Sequence, residues 1–165
     1  NDVAALRSAG ALETAASLHR PVILMHMLGE PRTMQADPRY DDVVAEVIAF
    51  LKARVAAAES KGVTDIWVDP GIGFGKTLAH NLALLNAAGR IRDEVGKPVV
   101  IGASRKSFIA KIDPDTDARQ GRLGGSIAAA LLAAQAGAGI VRVHDVAETV
   151  QALKVWCATT SSRDD

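Results

Sequence analysis

Four short apolar runs, each followed by a stretch of helical periodicity, constrain this chain more than any other feature. The runs are PVILMHM (residues 21–27), DIWVDP (65–70), KPVVIGAS (97–104) and IVRVHD (140–145). They are almost continuously apolar up to their polar ends, as expected of strands buried on both faces of a parallel sheet. Between them, DDVVAEVIAFLKARVAAAES (41–60) spaces Val44, Val47, Ile48, Leu51 and Val55 as one helix face. HNLALLNAAGRIRDEVG (80–96) reads as a single amphipathic helix ending at Gly96, and GGSIAAALLAAQAGAG (124–139) as another. A last helix carries Val146, Val150, Leu153 and Cys157 on one stripe, and ALETAASLHR (11–20) forms a helix ahead of the first strand. Strand starts fall about 33 to 43 residues apart, the repeat of a parallel α/β architecture. A doubly wound sheet and a (β/α)8 barrel share that repeat. A whole barrel takes about 250 residues, so this chain would supply roughly half of one.

Composition sets limits on partners. Lys plus Arg and Asp plus Glu both number 19, which gives no electrostatic case for nucleic acid or an anionic membrane. Aromatic residues make up only 4%, so the core must be built from Ala, Val, Leu and Ile, with Trp67 and Trp156 read as core. The lone cysteine, Cys157, excludes an internal disulfide and a multi-cysteine zinc site, and its stripe suggests a core or subunit-contact position. The longest apolar segment, 127–138, is too short to span a bilayer, and a cytoplasmic setting is expected. NDVAALRSAG at the start lacks a methionine and enters structure at once, as a segment of a longer chain would. The polar stretch KIDPDTDARQGRLGG (111–125) reads as a mobile loop within one domain.

DPGIGFGKT (69–77) ends like a phosphate-binding P-loop, but the first glycine of that motif falls on Pro70, which has no N–H to offer. A different role is needed for an acid followed by Gly71, Gly73 and Gly75. In parallel α/β folds ligands bind at the carboxyl ends of the strands. Those ends carry His26, Asp69, GASRKS (102–107) and RVHD (142–145), and helix capping accounts for Asp145 but not for the whole set. Arg142 and His144, two apart, share one face and could grip an anion. Asp69, locked by Pro70, offers a rigid carboxylate able to accept two parallel N–H bonds from a flat amidine-like edge. The glycines let the backbone pass close to a planar ligand, and Phe74 is placed to stack on one. Met25, His26 and Met27 read as interior packing, not as a metal site.

Six segments taken in order resemble the dihydropteroate synthase family: NDV (1–3), LMHMLGEPRTMQ (24–35), YDDV (40–43), DPGIGFGK (69–76), GASRKS (102–107) and RVHDV (142–146). The resemblance implies a (β/α)8 barrel, with residues 1–165 as the C-terminal part of one pterin-binding barrel domain and these strands as the last four of eight. It implies condensation of 7,8-dihydropterin-6-ylmethyl diphosphate with 4-aminobenzoate, sulfonamides as competitors, a homodimer, and Mg²⁺ with ligands outside this chain. It assigns Asn1, Asp69 and Lys106 to the pterin, with Asp69 and Lys106 catalytic, and Arg142 and His144 to the diphosphate. Phe74, Arg105, Lys106 and Ser107 fall to aminobenzoate, while Lys76 and Thr77 have no phosphate role. The isolated segment is expected to be inactive. The rivals are a pterin-dependent methyltransferase domain, which has no need of SRKS or RVHD, and a non-catalytic half-barrel that binds a pterin or pairs with itself.

Overall fold

A computed structural model describes residues 1–115 and 121–161. The helices are α1 (Ala11–Leu18), α2 (Val43–Ser60), α3 (Leu78–Asn86), α4 (Ala88–Val95), α5 (Ser107–Ile112), α6 (Leu123–Gln135) and α7 (Val146–Ser161). The strands are β1 (Val22–Met25), β2 (Ile66–Asp69), β3 (Val100–Ile101) and β4 (Ile140–Val141). β1 pairs in parallel with β2 and β3 with β4, and a parallel bridge from Val68 to Val99 joins the two pairs. The spatial order is therefore the chain order, and Asp2 adds a parallel bridge to Leu24 at the outer side of β1. An unreversed order is what a barrel wall requires; a doubly wound sheet reverses at a switch point.

The α2 face is the predicted one: Val44, Val47, Ile48, Leu51 and Val55 are all buried, with Val43 and Ala58 beside them. Each such side chain removed from water contributes roughly 1.5–3 kcal/mol. The helix starts where it does because the Asp42 carboxylate accepts from the Val44 and Ala45 amides at 2.9 and 3.0 Å, while Glu46 reaches back to the amides of Asp41 and Asp42. Because β1 and β2 run in register, with Met25 beside Asp69, their polar ends finish at one level.

Several expectations are corrected. The single helix expected over 80–96 is two, broken at Ala87, whose ψ of 10° leaves the helical region. The expected loop 111–125 is shorter at both ends, since Lys111 and Ile112 close α5 and Leu123 opens α6; residues 116–120 lie outside the described residues. The strands stop early, so Arg142 and His144 stand on the loop after β4. The α7 stripe faces outward: Val146 is 59% exposed, Val150 is exposed and Cys157 is a free, exposed thiol, so it is not core. Trp67 and Trp156 are half-buried at the periphery, not core residues.

Candidate active site at the strand ends

Asp69 closes β2 and is almost fully buried. Its Oδ1 accepts from the Gly71 amide at 2.7 Å and its Oδ2 from the Asn1 side-chain amide at 3.2 Å. Burial pushes this carboxyl up from its ordinary range, while the Gly71 and Asn1 hydrogen bonds and the charges of Lys106 and Lys76 pull it back down.

The glycine turn that follows is forced by its surroundings. Gly71 has φ +71°, and a Cβ there would stand 1.8 Å from the His26 carbonyl oxygen. At Gly75, with φ +64°, it would stand 2.6 Å from the Leu28 carbonyl oxygen. The close approaches expected toward a ligand are thus made first to the protein's own backbone. The turn is pinned from outside as well. Asn81 of α3 accepts from the Gly73 amide at 2.6 Å and donates to the Thr77 carbonyl at 2.8 Å; the Gln35 amide donates to the Gly73 carbonyl, and the Tyr40 hydroxyl to the Gly75 carbonyl. Thr77 caps α3 through its hydroxyl, and Lys76 turns into the core, so neither faces a phosphate position.

Lys106 precedes α5 and donates to the Ile72 carbonyl, with its ammonium 4.1 Å from the centre of the Phe74 ring. Burial pushes its pKa down to about 8; Asp69 opposes that shift and Arg142 adds to it. Beside it a cavity of about 170 Å³ is lined by Gly102, Ser104, Lys106, Arg142, Val143 and His144. Of the strand-end groups singled out from sequence, Lys106, Arg142 and His144 thus line one cavity. His144 Nδ1 lies 3.1 Å from the Ser104 hydroxyl, which also accepts from the His144 amide. Larger cavities open at the opposite ends of the strands, beside Pro21–Val22 and Lys97–Pro98.

Arg105 takes a different direction. Its backbone is left-handed, with φ +57°, and its guanidinium donates to both carboxylate oxygens of Asp145 at 3.1 and 2.5 Å. The Asp145 carboxylate, read from sequence as a helix cap, is thus engaged by Arg105. Ser107 opens α5 and is exposed, next to Lys106. The contacts of Asn81 and Gln35 and the burial of Lys76 escaped the sequence reading. The only signal available for Asn81 was its place four residues after Thr77, one turn into the helix.

A buried carboxylate stands beside a cavity lined by Lys106, Arg142 and His144 at the carboxyl ends of parallel strands in chain order, where parallel α/β barrels bind their ligands. Residues 1–144 match the family of pterin binding enzymes, and the chain belongs to that family. It is 49% identical over 159 residues to the dihydropteroate synthase of Neisseria meningitidis serogroup C, covering 94% of this chain and 56% of that protein. The structure of Xanthomonas albilineans dihydropteroate synthase with 4-aminobenzoic acid superposes with a TM-score of 0.88, at 49% identity over 97% of this chain and 56% of that one. The Yersinia pestis dihydropteroate synthase in complex with a sulfonamide drug gives a TM-score of 0.92 at 41% identity, over 98% and 58%. The chain thus spans a little over half the length of these relatives, in keeping with a partial barrel.

Proposed function

We propose that the protein carrying this chain is a dihydropteroate synthase, and that residues 1–165 supply the last four strand–helix units of its barrel. One observation carries the reading: the buried Asp69 acceptor and the cavity of Ser104, Lys106, Arg142 and His144 stand at the same end of neighbouring strands. Asp69 accepts the pterin's ring N–H and amino group, Asn1 adds an amide contact, and Lys106 donates to the carbonyl side. Arg142 and His144 hold the diphosphate. The methylene C–O bond of 7,8-dihydropterin-6-ylmethyl diphosphate breaks with its electron pair leaving on pyrophosphate, whose growing charge Arg142 and Lys106 stabilise. The amine of 4-aminobenzoate then forms the C–N bond and gives up a proton. Phe74, Arg105, Lys106 and Ser107 border the aminobenzoate position, where a sulfonamide would compete. A methyltransferase reading leaves the Arg142 and His144 cavity without a role.

Among the described residues no group of three or more His, Cys, Asp or Glu side chains is placed to hold a metal ion. Mg²⁺ in this reading takes its ligands from outside them. No helix among the described residues is long and apolar enough to cross a membrane. In this reading the enzyme is cytoplasmic, and a homodimer forms through the apolar face of α6 and α7, where Ile127, Leu131, Val155 and Trp156 line a groove. Four strands leave a barrel open, so the segment alone would be inactive.

The deciding experiment is calorimetric titration of the full-length protein with a pterin, with Asp69→Asn alongside. The amide presents a donor to one pterin N–H, and affinity should fall by more than about tenfold. Equal binding by both proteins would remove Asp69 from the site and the reading with it.

A further inference from the structure

Lys76 is the motif residue that the chemistry above leaves unused, yet it is the largest fully buried side chain among the described residues, at 1% exposure. Its Nζ donates to the Phe74 carbonyl at 2.9 Å and lies 3.0 Å from His26 Nδ1. An ammonium only donates, so the imidazole accepts at Nδ1 and carries its proton on Nε2. The position of a Cβ on Gly71 lies 3.5 Å from the same Nζ, which places the charge directly under the turn that follows Asp69. The charged groups that face it are Asp69 at the end of β2 and Lys106 from the loop before α5; His26 faces it from the end of β1.

We propose that Lys76 is a positioning residue for pterin recognition: held between His26 and the Phe74 carbonyl, its ammonium braces the glycine turn from below and supplies the charge against which Asp69 presents its carboxylate. Burial drives a carboxyl toward its neutral acid, which would put a donor against the pterin's own N–H. Lys106 opposes this, but Lys106 lines the open cavity and is shared with whatever binds there. Lys76 is closed off from that cavity and, charged below the pH of about 7 to which burial holds it, acts on Asp69 there with or without ligand. The inference rests on the pterin reading of the site.

The test is a double-mutant cycle on the full-length protein, with affinity for a pterin lacking phosphate read by calorimetry. Lys76→Met should weaken binding at least about tenfold in the native background but less than about threefold in Asp69→Asn, because there is no longer a carboxylate to influence. A lysine that only fills space would weaken both backgrounds equally, and equal losses, or none, overturn the proposal. Should Lys76→Met fail to fold alone, recovery of folding in Asp69→Asn supports the pairing of charges, and failure in both backgrounds overturns it. A native protein that binds no pterin defeats the functional reading itself, whereas native binding with no coupling defeats only the role of Lys76.

Discussion

Arg105 and Asp145 tie the end of β3 to the end of β4, with both oxygens of one carboxylate engaged by one guanidinium at 3.1 and 2.5 Å. The Arg105 amide is held as well, donating to the Ser126 hydroxyl at 2.9 Å, and the Arg122 guanidinium donates to its carbonyl. A left-handed residue fixed at backbone and side chain sets the direction in which Lys106 and Ser107 leave β3.

Asp145→Asn should therefore act on the site more than on the fold. Exposed ion pairs contribute little to stability. The thermal midpoint should stay within a few degrees, while 4-aminobenzoate affinity should fall about threefold or more and pterin affinity hold. Parallel titrations with the two ligands check this, and matching losses would show that the pair has no local role.

Arg142→Ala should weaken pyrophosphate binding by about tenfold or more, since a charge-assisted contact is lost. Arg142 and His144 line the cavity beside Lys106, and Asp69 is not part of that lining, so a pterin without phosphate should bind as before. Equal losses for the two ligands, measured by calorimetry, would contradict the anion-gripping role.

Gly71 and Gly96 share a φ of +71° but not their surroundings. Gly96 ends α4 with nothing within 4 Å of a new Cβ, so Gly96→Ala should cost only the left-handed strain, about 1–2 kcal/mol. Gly71→Ala meets a carbonyl oxygen at 1.8 Å and must move the end of β1, so it should cost several kcal/mol, on the order of 4. Urea denaturation of the two variants should separate them clearly; similar midpoints would mean the turn relaxes freely.

His26 makes the fold sensitive to acid. Burial first, then the charges of Lys76 and Arg7, hold its imidazole down to about 3 from an ordinary 6.5. Below about pH 6.5 the unfolded chain takes up a proton that the folded chain refuses, so stability present above that pH is lost as pH falls toward 3, by up to about 1.4 kcal/mol per pH unit. Between about pH 5 and 6.5, where ordinary carboxylates remain ionised, native protein should lose stability and His26→Gln should stay nearly level. Parallel slopes would show that His26 is not the responsible group.

The parallel α/β repeat could be read from periodicity because each strand is a short apolar run and α2 repeats its apolar residues on one face, while the barrel rather than a doubly wound sheet was implied only by the resemblance. Asp69 stood out for a related reason: an acid at the end of such a run, fixed by proline, must face the strand ends. What stayed hidden depends on partners distant in the chain. Lys76 looks like a solvated lysine until His26, 50 positions earlier, is seen to receive it. Asn81 looks like one more helical polar residue until the Gly73 amide meets it. The break at Ala87 has no marker, since alanine favours helix, and α5 is six residues, too short to show a period. The α7 stripe left core and subunit contact both open, because periodicity defines a face without saying what covers it.

The two lysines behind and beside Asp69 also govern how this fold exchanges heat and protons with its solution. Burial holds Lys76 to about 7 and Lys106 to about 8, far below the 10.5 of a solvated lysine. Between those values and 10.5 the unfolded chain binds protons that the folded chain releases, so stability grows with alkalinity through that window. Each unfolding event at mildly alkaline pH withdraws protons from the buffer. The apparent enthalpy of melting then shifts with the buffer's own heat of ionisation, making phosphate and Tris report different heats for one and the same structure.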